Sequence, residues 1–169
     1  DLVPDNPSGP NSGQAGQQVS ISWRIDNTGD DASGWFYWEM YISTDSTITT
    51  SDTKLGSTQQ ANSISGGSYR SGTYSPTLPS NLGQGTYYFG IIADTTSRVS
   101  EGDETNNIEV GNSIYISVPD YDLEATSISV DSGYQQVCQG SDIYISLSVT
   151  NLGTDNAGAH YYEALVSTG

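Results

Sequence analysis

Apolar residues alternate with polar ones along Val19, Ile21, Trp23 and Ile25, with Ser20, Ser22, Arg24 and Asp26 between them. A period of two sends successive side chains to opposite faces of an extended chain, so this stretch predicts a strand with one buried face. Asn27–Asp31 reads as a turn. Gly34–Thr44 is a second strand, apolar on both faces: Phe36, Trp38, Met40 and Ile42 on one, Trp35, Tyr37 and Tyr41 around Glu39 on the other. One face belongs to the core. The other is either a solvated aromatic surface or one covered by a neighbouring subunit or a stacked sugar.

Further strands are predicted over 1–4, 53–59, 68–78, 87–94 and 108–118. The segment 6–13, with Pro7, Pro10, Gly9 and Gly13, reads as turns and is barred from a helix or a central strand. Tyr87, just after the Gly83 and Gly85 turn, has the setting of a tyrosine corner. Helical periodicity is found nowhere over ten residues or more. About seven strands in some 118 residues is the count of an immunoglobulin-like sandwich. The fold class is therefore all-β, an antiparallel immunoglobulin-like β-sandwich followed by a partial second one.

The second sandwich is predicted from a repeat. Residues 143–168 align with 19–44 at a constant offset of 124, with ten identities that include Asn27/Asn151, Gly29/Gly153, Tyr37/Tyr161 and Glu39/Glu163. An interval above 100 residues means tandem domains, so the expected layout is a domain at 1–118, a linker at 119–121 and the opening of another domain at 122–169. Ile143, Ile145, Leu147 and Val149 repeat the half-buried pattern without the sheet that would cover it. Either the polypeptide continues past Gly169, or another chain completes the sandwich by adding strands.

Charge narrows the partners. Four basic residues stand against twenty acidic ones, a net charge of −16. Such a field repels nucleic acid and anionic membrane surfaces, and no apolar run approaches the length of a membrane-spanning helix. No nucleic-acid partner and no membrane insertion are expected. The single cysteine, Cys138, allows no disulfide framework.

Two segments carry a family resemblance. One is Tyr41–Ser57, YISTDSTITTSDTKLGS; the other runs from Gly85-Thr86-Tyr87-Tyr88 through Ala93-Asp94 to the E-x-x-E-x-N-N ending at Glu101–Asn107. Together they resemble the CARDB domain, a cell-adhesion-related immunoglobulin-like module of bacteria and archaea, over residues 1–118. The resemblance implies an extracellular or cell-surface location in a prokaryote, a role in adhesion or filaments, and no activity.

Candidate chemistry is limited to metal and surfaces. In the predicted topology Asp30, Asp31, Asp94, Glu101, Asp103 and Glu104 share one pole, while Asp45 and Asp52 lie at the other. Carboxylate and carbonyl oxygens in loops are what Ca²⁺ takes, so calcium is the one cofactor these residues allow. The competing reading is that they only shape turns. No catalytic residue is assigned, because the sole histidine, His160, replaces Phe36 of the first copy. Trp35, Tyr37, Glu39 and Tyr41 form the candidate interface or ligand face, and Ile143, Ile145, Leu147 and Val149 the strand-completion interface. The expected function is a non-enzymatic structural and assembly module, a subunit or stalk of a surface fibre that associates with itself or neighbouring subunits. The alternatives are an adhesin or carbohydrate-binding module taking glycans, and an accessory domain of a secreted hydrolase.

Overall fold

A computed structural model describes residues 1–130, 138 and 140–165. It contains two compact units, Asp1–Val118 and Pro119–Gly169, and no helix among the described residues.

The first unit is a sandwich of eight strands: β1 (Leu2–Ser8), β2 (Ser12–Gln14), β3 (Ile21–Asn27), β4 (Phe36–Ser43), β5 (Thr53–Ala61), β6 (Ser68–Tyr74), β7 (Gly85–Ala93) and β8 (Ile108–Ser117). One sheet has the order β1-β3-β6 and the other β2-β8-β7-β4-β5. All pairings are antiparallel except β2 with β8, which is parallel.

The N-terminal segment departs from its predicted form. The first strand runs on to Ser8 through Pro4 and Pro7, slips register between Asp5 and Ser8, and then changes sheet as β2. A proline lacks the N–H that a central strand must donate, but β1 lies at a sheet edge, where that loss is harmless. Asn6, at φ 28°, makes the bend. The predicted strand at 68–78 ends earlier, at Tyr74, and Gln17–Val19 meets Pro76–Leu78 through isolated hydrogen bonds instead.

The alternation in β3 and β4 sets the core. Ile21 and Ile25 from one sheet face Phe36, Trp38, Met40 and Ile42 from the other, joined by Leu2, Leu55, Leu78, Phe89, Ile91, Ile114 and Ile116, all buried. Each such side chain contributes roughly 1.5–3 kcal/mol by leaving water. The tyrosine corner forms: the Tyr87 hydroxyl donates to the Gly83 carbonyl at 3.1 Å.

The second unit contains β9 (Leu123–Val130) paired antiparallel with β10 (Ile145–Asn151). It copies the β1–β3 pairing closely. Leu2 faces Asn27 in one unit and Leu123 faces Asn151 in the other. Asn27 accepts from Gly29 N–H and donates to Asp31 O, and Asn151 does the same with Gly153 and Asp155. The repeat does not hold further along. The counterpart of β4 begins at residue 160, yet 160–165 form no strand, and Tyr161, Tyr162 and Leu165 are exposed. In the first unit β4 is held between β5 and β7. Among the described residues of the second unit there is no counterpart of either, and a strand without neighbours leaves its backbone groups unpaired. Residues 166–168 of the predicted repeat lie outside the described ones.

Candidate functional site

The outer face of β4 is only partly an open surface. Tyr41 is 3% exposed, packed with Ile92 and Val110 beneath Ile48. Ile48 belongs to the segment between β4 and β5, which folds back over the sheet. A side chain at Gly90 would collide with Ile48, so glycine there is what lets the segment close. By alternation alone Tyr41 belongs to the face offered to a ligand or a neighbouring subunit. The chain's own loop covers it instead.

Glu39 is likewise committed internally. It accepts hydrogen bonds from Lys54 Nζ at 3.2 Å, from Thr58 Oγ1 at 2.5 Å and from the Tyr41 hydroxyl. Partial burial works against its charge, but the donors on Thr58, Tyr41 and Lys54 outweigh it and hold the carboxyl below its ordinary pKa. Burial, and then the Glu39 carboxylate, push the Tyr41 phenol well above its usual range. This network closes on itself.

What stays open is Trp35, 38% exposed, with Tyr37 half-buried edge-on beside it at 5.5 Å. The Arg98 guanidinium lies 3.3 Å from the centre of the Trp35 ring. Ser33, Gly34, Trp35 and Arg98 line a cleft of 360 Å³ there. Arg98 was missed in the sequence; its scarcity as one of four basic residues was the only signal it carried.

A second cleft, of 300 Å³, opens at the unpaired edge between β5 and β6. Trp23, Trp38 and Tyr74 form its aromatic wall, with ring centres 4.5 and 5.6 Å apart, and Gln59, Gln60, Asn62, Arg70 and Thr73 its polar side. No single stretch of sequence contains this cleft, because it is a gap between two sheets.

The predicted acidic ligands do not gather. Among the described residues no three His, Cys, Asp or Glu side chains are placed to hold a metal ion. Asp30 and Asp31 are exposed. Asp45 accepts from Thr47 N–H, Asp52 from Thr49, and Asp103 from Thr105, so each caps a turn. Those bonds lower the Asp103 pKa; at Asp52 burial works against the charge, but hydrogen bonds from Ser43 and Thr49 together outweigh it and lower the pKa. Glu104 accepts the Glu101 N–H at 3.0 Å. The turn-forming reading accounts for Asp45, Asp52, Asp103 and Glu104. A short polar side chain two or three residues from a free N–H reaches that N–H more easily than a distant ion.

Asp94 and Glu101 differ. The Glu101 side chain has no exposed surface, and its carboxylate accepts from Leu2 N–H and from Asn107 Nδ2. Asp94 is buried, with Oδ2 accepting Val99 N–H at 2.7 Å. Glu101 pins the long β7–β8 loop to the start of β1, and Asp94 ties the loop to itself.

In the second unit Ile143 and Ile145 are exposed, and Leu147 and Val149 half-buried. Their first-copy counterparts Val19, Ile21 and Ile25 are buried, and Trp23 half-buried. His160 is exposed, with Nδ1 3.3 Å from Gly158 O.

Two facing sheets, a first strand that switches between them and a tyrosine corner define an immunoglobulin-like sandwich whose sites are surface faces and loops. Residues 1–110 match the CARDB family profile, and the chain belongs to that family. Its fold is similar to a CARDB domain from Pyrococcus furiosus, crystallised in complex with di-metal ions, at 17% identity and a TM-score of 0.53 over 69% of this chain and 88% of that one. It is also similar to a domain of a presumed cell surface protein from Methanosarcina acetivorans, at 19% identity and a TM-score of 0.50 over 69% and 91%. No curated protein matches the sequence.

Proposed function

We propose that this protein is a non-enzymatic extracellular module, a subunit or stalk segment of a prokaryotic surface fibre that associates with itself or with neighbouring subunits. The observation that carries this reading is the state of β10. Ile145 is 37% exposed, whereas its counterpart Ile21 is fully buried beneath a facing sheet. Burying such residues against another polypeptide is favourable, and an apolar strand face is a surface that a neighbouring chain can cover. The membership of the family and the cell-surface relative support the location.

The test is assembly. Sedimentation velocity and negative-stain electron microscopy over a hundredfold concentration range should find polymers for the wild-type chain and monomers for Ile145→Asp. A wild-type chain that stays monomeric at the highest concentration, without fibres, would remove the fibre reading.

A glycan-binding adhesin is the second reading, favoured by the exposed Trp35 ring and the cleft it shares with Arg98. Selective retention on a glycan array, lost in Trp35→Ala, would support it.

A further inference from the structure

Among the described residues, the buried side-chain polar atoms without a hydrogen-bond partner are Asp94 Oδ1, Asn106 Oδ1 and Asn107 Oδ1. All three are oxygens, and all belong to the loop between β7 and β8. Two of the residues are more than nine-tenths buried, Asp94 at 6% exposure and Asn107 at 8%.

The amide orientations are set by their other ends. Asn107 Nδ2 donates to Leu2 O at 3.3 Å and to Glu101 Oε2 at 2.5 Å. Asn106 Nδ2 donates to the two Asp1 carboxylate oxygens at 3.2 and 3.3 Å. Turning either amide over would press its oxygen against carboxylate oxygens, so the free atom is the acceptor in both.

Asp94 is held as firmly. Its Oδ2 takes Val99 N–H, its carbonyl takes Ser97 N–H at 2.9 Å, and its φ of 41° is one that a non-glycine residue adopts only where the surroundings impose it. The preceding residue, Ala93, donates its N–H to Asn107 O at 2.8 Å. Asp94 and Asn107 therefore flank the point where β7 leaves the sheet and β8 enters it.

Buried acceptors without donors are costly, most of all on a carboxylate. A bound cation relieves that cost, and a carboxylate with two amide oxygens is a hard-oxygen set of the kind calcium takes. We propose that the β7–β8 loop is a calcium site in which Asp94, Asn106 and Asn107 supply ligand oxygens and Glu101 is the positioning residue that fixes the Asn107 amide. This donor set has one carboxylate, unlike the six-acid cluster the sequence suggested, and it stands independently of the fibre reading. A single formal charge puts the affinity at the weak end for extracellular modules, on the order of 10⁻⁴–10⁻³ M.

The experiment melts the full 169-residue chain, stripped with EDTA, in CaCl₂ up to about 10 mM at constant ionic strength, with MgCl₂ in parallel. Calcium is expected to raise the melting temperature by about 5 °C and magnesium by less than half of that. Asp94→Asn keeps an acceptor for Val99 N–H and puts an amide NH₂ in place of the unpaired oxygen, so it is expected to melt normally in EDTA and gain nothing from calcium. Asp45→Asn removes one charge at the opposite end of the sandwich and should keep the full rise. Tryptophan-sensitised terbium emission from the wild-type chain, displaced by millimolar calcium, reads the same site without a variant, since Trp38 pairs with Ala93 beside Asp94. An unchanged wild-type melting temperature, a rise that Asp94→Asn retains, or the absence of calcium-displaceable emission would each overturn the assignment.

Discussion

Glu101 shows how one side chain can organise a domain's end. Its buried carboxylate joins the first strand to the last loop through Leu2 N–H and Asn107 Nδ2. Glu101→Ala would leave both donors unmet, at a cost of about 2–4 kcal/mol, measurable as a lower urea midpoint. The acidic run made Glu101 visible in the sequence as a loop carboxylate, but not as a buried one, because burial depends on β1 arriving from the other end of the chain. Glu39 yields a pH prediction. Its folded pKa lies below the unfolded value, so its stabilisation is full above the unfolded pKa and disappears as pH falls through the folded one. The stability difference between wild type and Glu39→Gln should be constant near neutrality and close below about pH 4. A gap that widens on acidification would contradict the network described.

At the scale of elements, β4 carries the domain. Its inner alternation was readable because a period of two over Phe36, Trp38, Met40 and Ile42 admits one interpretation. Its outer face was not, because the cover comes from Ile48, in a segment whose Ser and Thr residues read only as loop. Ile48→Ala should cost about 2–4 kcal/mol and expose Tyr41, detectable as faster proteolysis between β4 and β5. Gly90→Val should have a similar effect by overfilling the same space, since its side chain would meet Ile48. The edge strand β1 was foreshortened in the sequence reading. Pro7 after Asn6 looks like a turn until the edge position makes its missing N–H harmless.

On the scale of the whole molecule, the unit Asp1–Val118 has its own core, both sheets and the complete tyrosine corner. Residues 1–118 produced alone should therefore unfold cooperatively, within a few degrees of the main transition of the full chain. A non-cooperative melt would mean that Pro119–Gly169 contributes to that core. The second unit repeats the first pairing down to the Asn151 hydrogen bonds, and the described residues beyond, 152–165, form no strand. Local pattern carries β9 and β10, whereas the counterpart of β4 requires flanking strands.

Period-two alternation and glycine and proline punctuation determined the sandwich, since each acts through near neighbours in the chain, and two motif segments carried the family resemblance. Only the folded arrangement decided which aromatic rings are covered, which acids merely cap turns, and where a loop leaves three oxygens unanswered. Those outcomes depend on what arrives from distant parts of the chain, and side-chain type alone carries no record of it.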